Sequence, residues 1–374
     1  MGTGDASSAR PPVVLFGYDS SPFTTKVKLA LRLKQIPYIF VVVPSMMPRP
    51  VLKDNFNVTY RKIPVLAIGR EIYIDTSLIL EALESQFPSA QGYGTLYPSS
   101  SASFRPLVRG FASYWTDRPL FRVTTGLIPS SVWRTHFGVD RSNLIGHKLD
   151  AEKLGRKVPQ NLSGLDLQLS LLEPLLSDQQ SKAWIFGGDV PSVADLALWY
   201  QLDWGEKISR GEGIGNLTGG GTNDGDGEGM GAVFNKDRYP GIIAWFERFK
   251  AYVAGLPSVE TKIERDNAEG VTRVMQQLKQ TLLLEEVPLL ATPAGPHYDL
   301  DGRNGLVAGA DVTIAPDDTG RDSPTVGTLV ALTPEEAVIT PQKTTEGTGP
   351  AVGEVRIHFP RTGFVIRPAG QAKL

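Results

Sequence analysis

A short segment between an apolar run and a helical pattern places the strongest constraint on this 374-residue chain. Residues 13–16 are apolar, Ser21-Pro22-Phe23 follows, and apolar residues then recur at helical spacing to residue 33. Pro22 suits the first turn of a helix, so a strand should end and a helix begin near Ser21. A helix N-terminus presents free N–H groups and partial positive charge, which can hold an anion. The chain contains no cysteine, so a thiolate held there must come from another molecule.

The hydrophobic patterns of residues 13–88 predict a small mixed α/β domain. The first strand and helix are followed by a strand at 38–43, a hairpin at 64–74 with a Gly-containing turn, and a helix at 76–87. The order is βαβ followed by ββα, which is typical of a compact mixed sheet and not of a long doubly wound one.

The remainder of the chain divides by composition into a helical part and a strand-rich part. Apolar residues recur at helical spacing across most of 104–284, with a Gly-rich, acidic interruption at 211–231. From about residue 287, Gly, Pro, Thr and Val dominate, which indicates a small all-β module. Five short runs predict its strands: 312–314, 328–332, 337–340, 354–359 and 364–367.

Bulk composition excludes several classes of partner. The formal net charge of −2 favours neither nucleic acid nor an anionic membrane. The apolar runs are far shorter than the roughly 20 residues of a membrane helix. The four histidines show no metal-ligand spacing, so no metal is expected. The absence of cysteine fits a reducing cytosol, and we expect a cytoplasmic protein.

Three separate motifs carry a resemblance to a known family. They are Ser21-Pro22-Phe23, the segment 62–66 (Lys-Ile-Pro-Val-Leu) and Asp75-Thr76. With them, residues 13–88 resemble the thioredoxin-like N-terminal domain of glutathione transferases, and the Ser-Pro-Phe form is most similar to serine-type, tau-like members. The turn 186–188, the box 192–195 and the segment 239–245 resemble the all-helical second domain, so the resemblance covers about residues 13–265.

This resemblance, with the composition change, implies a thioredoxin-like α/β domain, an all-α domain of the glutathione transferase type and a small all-β module. The predicted boundaries are a disordered tail at 1–12, the glutathione-binding domain at 13–90, the helical domain at 103–284 and a β-barrel-like module at 285–374.

The resemblance implies that the Ser21 hydroxyl donates to the sulfur of bound glutathione. Ser20 and Tyr18 are the alternative hydroxyls, because a one-residue shift in alignment would place Ser20 at the sulfur. Taken alone, Ser21 before Pro22 is also an ordinary N-cap followed by a first-turn proline. Both roles can be filled by one side chain.

The other two motifs match positions that hold the rest of glutathione. Lys62 matches a partner of the glycyl carboxylate, and Ile63, before a cis Pro64, matches the residue whose backbone pairs with the cysteinyl amide. Asp75 and Thr76 match the acid and hydroxyl that hold the γ-glutamyl end, where the family usually has Glu-Ser or Gln-Ser. A purely structural interpretation remains open for these: Pro64 belongs to every thioredoxin-like domain, and Asp75-Thr76 can cap the following helix.

The electrophile pocket is less well specified. Tyr114, Trp115 and Arg118 are its candidates, because family members place this helix over the sulfur. At helical spacing, however, aromatic residues in this region can equally be core.

The leading functional hypothesis is a glutathione-transferase-like enzyme that activates the thiol of its co-substrate glutathione for attack on a small hydrophobic electrophile. Such chemistry serves detoxification or secondary metabolism. The alternatives are a glutathione-dependent isomerase or lyase, and a non-catalytic scaffold that has kept the fold. The resemblance also implies a homodimer.

Overall fold

A computed structural model of the protein describes residues 10–177, 183–220, 229–342 and 350–370. The predicted disordered tail therefore lies outside the described residues, apart from positions 10–12. Within these ranges, no helix is both long and apolar enough to cross a membrane.

The N-terminal part folds around four strands in the predicted order. Strand β1 (Val13–Gly17) pairs in parallel with β2 (Tyr38–Val42) and antiparallel with β3 (Val65–Ile68). Strand β3 in turn pairs antiparallel with β4 (Glu71–Ile74). Every residue of β1, β3 and β4 is buried, as the continuous apolar runs require. The elements are β1 (Val13–Gly17), α1 (Pro22–Lys34), β2 (Tyr38–Val42), α2 (Pro50–Phe56), β3 (Val65–Ile68), β4 (Glu71–Ile74) and α3 (Thr76–Gln86).

Helices dominate the middle of the chain. The described ones are α4 (Ser99–Ala102), α5 (Arg105–Gly110), a π-helical segment (Phe111–Leu120), α6 (Phe121–Thr125), α7 (His136–Ile145), α8 (Ala151–Arg156), α9 (Val158–Ser177), α10 (Val193–Ser209), α11 (Ile214–Thr218), α12 (Pro240–Ala254), α13 (Ala268–Gln280) and α14 (Tyr298–Arg303), with short 3-10 turns at Ser89–Gln91, Ser130–Arg134 and Met230–Ala232. A capping box of Ser192 and Asp195 starts α10. That helix then runs almost entirely buried through the core.

A strand interrupts the region predicted to be helical. Residues 260–263 form β5 (Glu260–Ile263), which lies parallel to β2. The prediction of a helical region that reaches residue 284 is therefore wrong for residues 260–263. The sequence of β5 is Glu-Thr-Lys-Ile, and its side chains are mostly at the surface, so no apolar alternation marked it. The free backbone edge of β2 holds this strand instead.

All five strands predicted near the C-terminus are present: β6 (Asp311–Pro316), β7 (Thr325–Leu332), β8 (Glu336–Pro341), β9 (Arg356–Pro360) and β10 (Phe364–Pro368). They do not close into a barrel. Instead β9 pairs in parallel with β4, and the described strands form one open ten-stranded sheet in the order β10-β6-β7-β8-β9-β4-β3-β1-β2-β5. The barrel-like architecture is thus corrected to an extension of the N-terminal sheet.

A buried charge network joins the C-terminal strands to β4. The imidazole of His358 on β9 lies 2.9 Å from a Glu71 carboxylate oxygen on one side and 3.0 Å from a Glu336 oxygen on the other. Arg356 donates to Glu71 as well, and its Nε–Oε1 distance is 2.9 Å. His358 and Glu336 are fully buried, and the Tyr73 ring stacks on the imidazole with centroids 4.4 Å apart. Each charged group thus has a partner, as burial demands.

The pKa values of His358 and Glu71 are shifted in opposite directions. Burial disfavours the imidazolium, but hydrogen bonds from His358 to Glu336 and Glu71 outweigh it and raise the pKa of His358 above 6.5. Burial likewise disfavours the Glu71 carboxylate, but hydrogen bonds from His358 and Arg356 outweigh it and lower the pKa of Glu71 below 4.5. His358 and Glu71 are therefore both charged between these two values.

We expect stability to fall on both sides of that window. The His358 contribution is complete below about pH 6.5, the unfolded pKa, and is lost as pH rises through the higher folded pKa. The Glu71 contribution is complete above about pH 4.3, its unfolded value, and is lost as pH falls through the lower folded pKa. Urea unfolding at a series of pH values should show that the advantage of wild type over His358→Gln shrinks from pH 6.5 upward.

His147→Gln is the matched control for this experiment, because His147 is exposed. It should leave the pH profile of the unfolding free energy unchanged. A difference between wild type and His358→Gln that stays constant across the alkaline range would contradict the assignment of a charged His358.

Candidate functional site

The Ser21 hydroxyl lies at the N-cap of α1. Its oxygen accepts a hydrogen bond from the Thr24 N–H at 3.2 Å, so the structural role predicted for this residue is present. In this bond the hydroxyl uses a lone pair and keeps its proton. Among the described residues no acceptor takes that proton, so the O–H remains available to donate. The side chain is 2% exposed, directly at the positive end of a 13-residue helix.

The two alternative hydroxyls have other partners, but only Ser20 uses its hydroxyl proton. The Ser20 hydroxyl donates to the side-chain oxygen of Asn216 at 2.8 Å, and the Ser20 N–H donates to the same oxygen at 2.9 Å. The Tyr18 hydroxyl accepts from the Arg141 guanidinium at 3.4 Å. Ser21 and Tyr18 thus both keep a proton to donate, and of these two hydroxyls only that of Ser21 lies at the N-cap of α1.

The segment after Ser21 is fixed by contacts with the helical domain. Phe23 packs edge-to-face on Phe121 with ring centroids 4.8 Å apart. The Trp204 indole donates to the Ser20 carbonyl at 3.0 Å. The ring centroids of Phe121 and Trp204 lie 6.0 Å apart. These aromatic side chains form a wall beside the turn that carries the candidate hydroxyl.

Asp117 connects four elements beneath the site. Its carboxylate accepts from Lys26 of α1 at 2.6 Å, from the Tyr200 hydroxyl of α10 at 2.7 Å and from the Thr76 hydroxyl of α3 at 3.4 Å. Lys26 is fully buried, and its ammonium also donates to the Ala112 carbonyl. Burial and the neighbouring Asp117 carboxylate raise the pKa of Tyr200 well above its usual value, so this phenol stays a donor.

The second and third motifs lie at strand and helix ends of the same domain. The Ile63–Pro64 peptide bond is cis, as expected. No described residue hydrogen-bonds to the Ile63 main chain, which leaves its polar groups free for an added strand. One Asp75 oxygen caps α3 by accepting from Ser77 N at 2.9 Å, while its other oxygen has no partner within the described ranges. Asp75 and Thr76 therefore combine the capping role with a free acceptor.

Lys62 has a partner that the sequence did not indicate. Its ammonium lies 2.5 Å from a carboxylate oxygen of Asp318, in the connection between β6 and β7. The site residue predicted to hold a carboxylate thus holds one from the C-terminal strands of its own chain.

The three residues predicted for the electrophile pocket lie in different surroundings. Trp115 turns toward α9, where its indole donates to Gln168 at 2.5 Å, and Tyr114 is 63% exposed. Among the described residues, neither side chain forms a hydrogen bond, ion pair or ring contact with residues 20–23. Arg118 is half-exposed and faces Asp317 at 3.8 Å. The role of Tyr114, Trp115 and Arg118 in an electrophile pocket stays a prediction, because helical spacing defines a face of the helix but not which molecule or neighbour covers that face.

Sequence reasoning also missed the two side chains that hold the Ser20 backbone. Trp204 ends a long helical pattern, and Asn216 falls in the Gly-rich stretch predicted to be an interruption. No local signal separates Trp204 from the other apolar residues of α10. Asn216 could have been noticed as an amide at the centre of a short helical pattern, since α11 forms there.

Comparisons with known proteins support the fold and the N-terminal domain. Residues 15–91 match the family described as glutathione S-transferase, N-terminal domain, and residues 124–213 match a domain of unknown function (DUF7962). A GST-like protein from Pseudomonas syringae superposes with a TM-score of 0.58 at 24% identity. The superposition covers 96% of this chain and 99% of that one, so it includes most of the C-terminal strands. The predicted thioredoxin-like domain followed by a helical domain is confirmed.

Two plant proteins give the extent of sequence similarity. Glutathione S-transferase U13 of Arabidopsis thaliana is 24% identical over 251 residues, which are 67% of this chain and 91% of the relative. Glutathione S-transferase U3 of the same plant is 29% identical over 103 residues, and the chain spans 42% of its length.

Removing the Asp117 carboxylate should loosen the base of the site. Asp117→Ala leaves Lys26 charged and unpaired in the interior, so we expect a loss of about 3–5 kcal/mol in unfolding free energy. Asp117→Asn, which keeps the shape, should lose less. Denaturant unfolding measures both.

Glu247→Ala provides the control, because Glu247 forms a pair with Lys250 in which both side chains are about 60% exposed. Its effect should stay within about 1 kcal/mol. Equal losses for Asp117→Ala and Glu247→Ala would show that Asp117 does not hold these elements together.

Proposed function

We propose that this chain, a glutathione S-transferase-like protein, binds glutathione and activates its thiol for attack on a small hydrophobic electrophile. The observation that carries the proposal is the uncommitted O–H of Ser21 at the N-terminus of α1, in a chain without a thiol of its own. The Ser21 hydroxyl donates to the sulfur and favours the thiolate. The thiol proton passes to solvent, and the electron pair of the thiolate forms a C–S bond with the electrophile. The electrophile then expels its leaving group as an anion or, if it is an activated alkene, takes up a proton from solvent.

The remaining contacts follow the length of the tripeptide. Lys62 pairs with the glycyl carboxylate, and the free main chain of Ile63 pairs with the cysteinyl amide like an added strand. The Asp75 oxygen that does not cap α3 and the Thr76 hydroxyl bind the γ-glutamyl end of glutathione. Arg118, in the π-helical segment 111–120, is proposed to contact the electrophile.

The energies of these contacts suffice to ionise the thiol. A free thiol has a pKa of about 8.5, and lowering it by about 2 units requires about 2.7 kcal/mol. A helix N-terminus contributes about 0.3–2 kcal/mol, and a hydrogen bond to a charged group about 1.5–3 kcal/mol. The thiolate fraction at pH 7 then rises about 25-fold. A larger acceleration must come from positioning the electrophile.

Conjugation is distinguished from isomerisation or elimination by mass balance. Conjugation consumes one glutathione for each product, whereas an isomerase returns it. A scaffold that has lost the activity would not bind glutathione in calorimetry. We propose conjugation, in a detoxification or secondary-metabolic setting and in the cytoplasm. An isomerase or lyase would activate the thiol in the same way, so the consumption of glutathione decides between these reactions.

A homodimer belongs to the same proposal. Leu167, Leu171 and Leu175 follow one another at four-residue spacing on α9 and remain 40–58% exposed. An apolar row of this kind on a surface supports a contact between protein molecules. Light scattering coupled to size-exclusion chromatography gives the mass directly.

Replacing Ser21 tests the thiol-activating role. In Ser21→Ala the lost hydrogen bond should raise the pKa of bound glutathione by about 1–2 units, since 1.36 kcal/mol is one unit. Ultraviolet absorbance of the thiolate against pH measures this shift, and turnover with a chloronitrobenzene electrophile should fall about 3- to 25-fold at pH 7, in proportion to the thiolate fraction.

Ser20→Ala is the matched control, because the Ser20 hydroxyl already donates to Asn216. It should keep the pKa of bound glutathione. The Ser21 variant also loses an N-cap worth about 0.5–2 kcal/mol, so thermal unfolding must confirm that it is folded at the assay temperature. If Ser20→Ala shifts the thiol pKa and Ser21→Ala does not, the assignment belongs to Ser20.

A further inference from the structure

Two consecutive aspartates of the β6–β7 connection reach both cations at the edge of the candidate site. We call Asp317 and Asp318 the aspartate tip. Asp318 lies 2.5 Å from the Lys62 ammonium of the N-terminal domain, and Asp317 lies 3.8 Å from the Arg118 guanidinium of the helical domain. The two carboxylates of the aspartate tip therefore connect Lys62 of the N-terminal domain with Arg118 of the helical domain.

Backbone contacts fix the tip where it is. The Asp317 N–H donates to the Gly363 carbonyl at 3.0 Å, and the Gly320 N–H donates to the Leu144 carbonyl of α7 at 2.8 Å. Gly320 has φ +80, and a Cβ there would lie 3.1 Å from the Leu144 side chain. The position of Asp318 thus depends on main-chain bonds to β10 and α7, and not on its ion pair alone.

The chemistry of the Lys62–Asp318 contact matches the contact proposed for glutathione. A carboxylate bonded to the Lys62 ammonium is what the glycyl end of the tripeptide would supply. Both side chains keep access to water, at 28% for Lys62 and 46% for Asp318, so the pair can exchange for an incoming carboxylate. Exposed pairs of this kind contribute modestly, and exchange between two carboxylates is close to balanced.

We propose that Asp318 is an internal occupant of the glycyl-carboxylate position and so determines how strongly this chain selects a free carboxylate on its thiol substrate. The inference rests on the proposed binding of glutathione. A ligand with a free glycyl carboxylate must displace Asp318 from Lys62 and gains little from the exchange. A ligand whose glycyl group is esterified makes no such exchange. Selectivity is a difference of affinities, and Asp318 reduces that difference.

Calorimetry with two ligands tests this selectivity. The probes are S-methylglutathione, which carries no free thiol, and its glycyl ethyl ester, both with the full-length protein at low salt. For wild type, the ratio of the ester Kd to the acid Kd should lie near 1–2. In Asp318→Asn, Lys62 loses its internal partner, and the ratio should increase about 2- to 5-fold, the range expected for one exposed ion pair.

Two further variants separate charge competition from a general effect. Asp311→Asn removes the same charge from the other end of β6, where Asp311 accepts from Thr328, and should leave the wild-type ratio unchanged. Lys62→Ala should give a ratio near 1 whether or not Asp318 is also replaced. If Asp318→Asn is poorly folded in thermal unfolding, Asp318→Ser serves for the same comparison.

The outcomes distinguish this inference from the function beneath it. If wild type binds both ligands and the ratio is the same in Asp318→Asn, the inference is overturned while glutathione binding stands. If the ratio increases in Asp318→Asn even without Lys62, direct competition is overturned. If neither wild type nor any variant binds either ligand, both the inference and the proposed function are overturned. Binding by the Asp318 variant alone would support strong internal competition.

Discussion

The carboxylate of Asp117, whose side chain is 12% exposed, is the group on which the geometry of the candidate site depends. It is bonded to α1 through Lys26, to α10 through Tyr200 and to the start of α3 through Thr76. The helix that carries Ser21 and the helix that begins after Asp75 are thus fixed against the same side chain. Without it the buried Lys26 would lose its charged partner and the buried Tyr200 hydroxyl would lose its acceptor, so the relative placement of these elements is strongly determined.

A second buried network performs the corresponding task for the C-terminal strands. His358 and Arg356 of β9 meet Glu71 of β4, with Glu336 completing the set, so that ten strands share one sheet. This continuous sheet places the β6–β7 connection beside the N-terminal domain. Asp318 of that connection therefore contacts Lys62, a residue predicted to bind the substrate.

Local patterns predicted the elements of the fold much better than their long-range partners. Short strand-like runs in a region rich in Gly, Pro, Thr and Val located all five C-terminal strands, and the Ser-Pro-Phe motif located the start of α1. No pattern could show that β9 joins β4, since Ile357 and Ile72 are 285 positions apart. The same limitation applies to the site: the hydroxyl of Ser21 is a local feature, whereas the Asn216 amide and the Asp318 carboxylate arrive from distant segments.

The most direct test of the account is a crystal structure of the full-length protein with bound glutathione. The account predicts that the sulfur lies within hydrogen-bonding distance of the Ser21 hydroxyl, with the glycyl carboxylate at Lys62 in the place that Asp318 occupies without ligand. A sulfur placed against Ser20 or Tyr18, or a tripeptide bound away from Lys62 and Asp75, would contradict it.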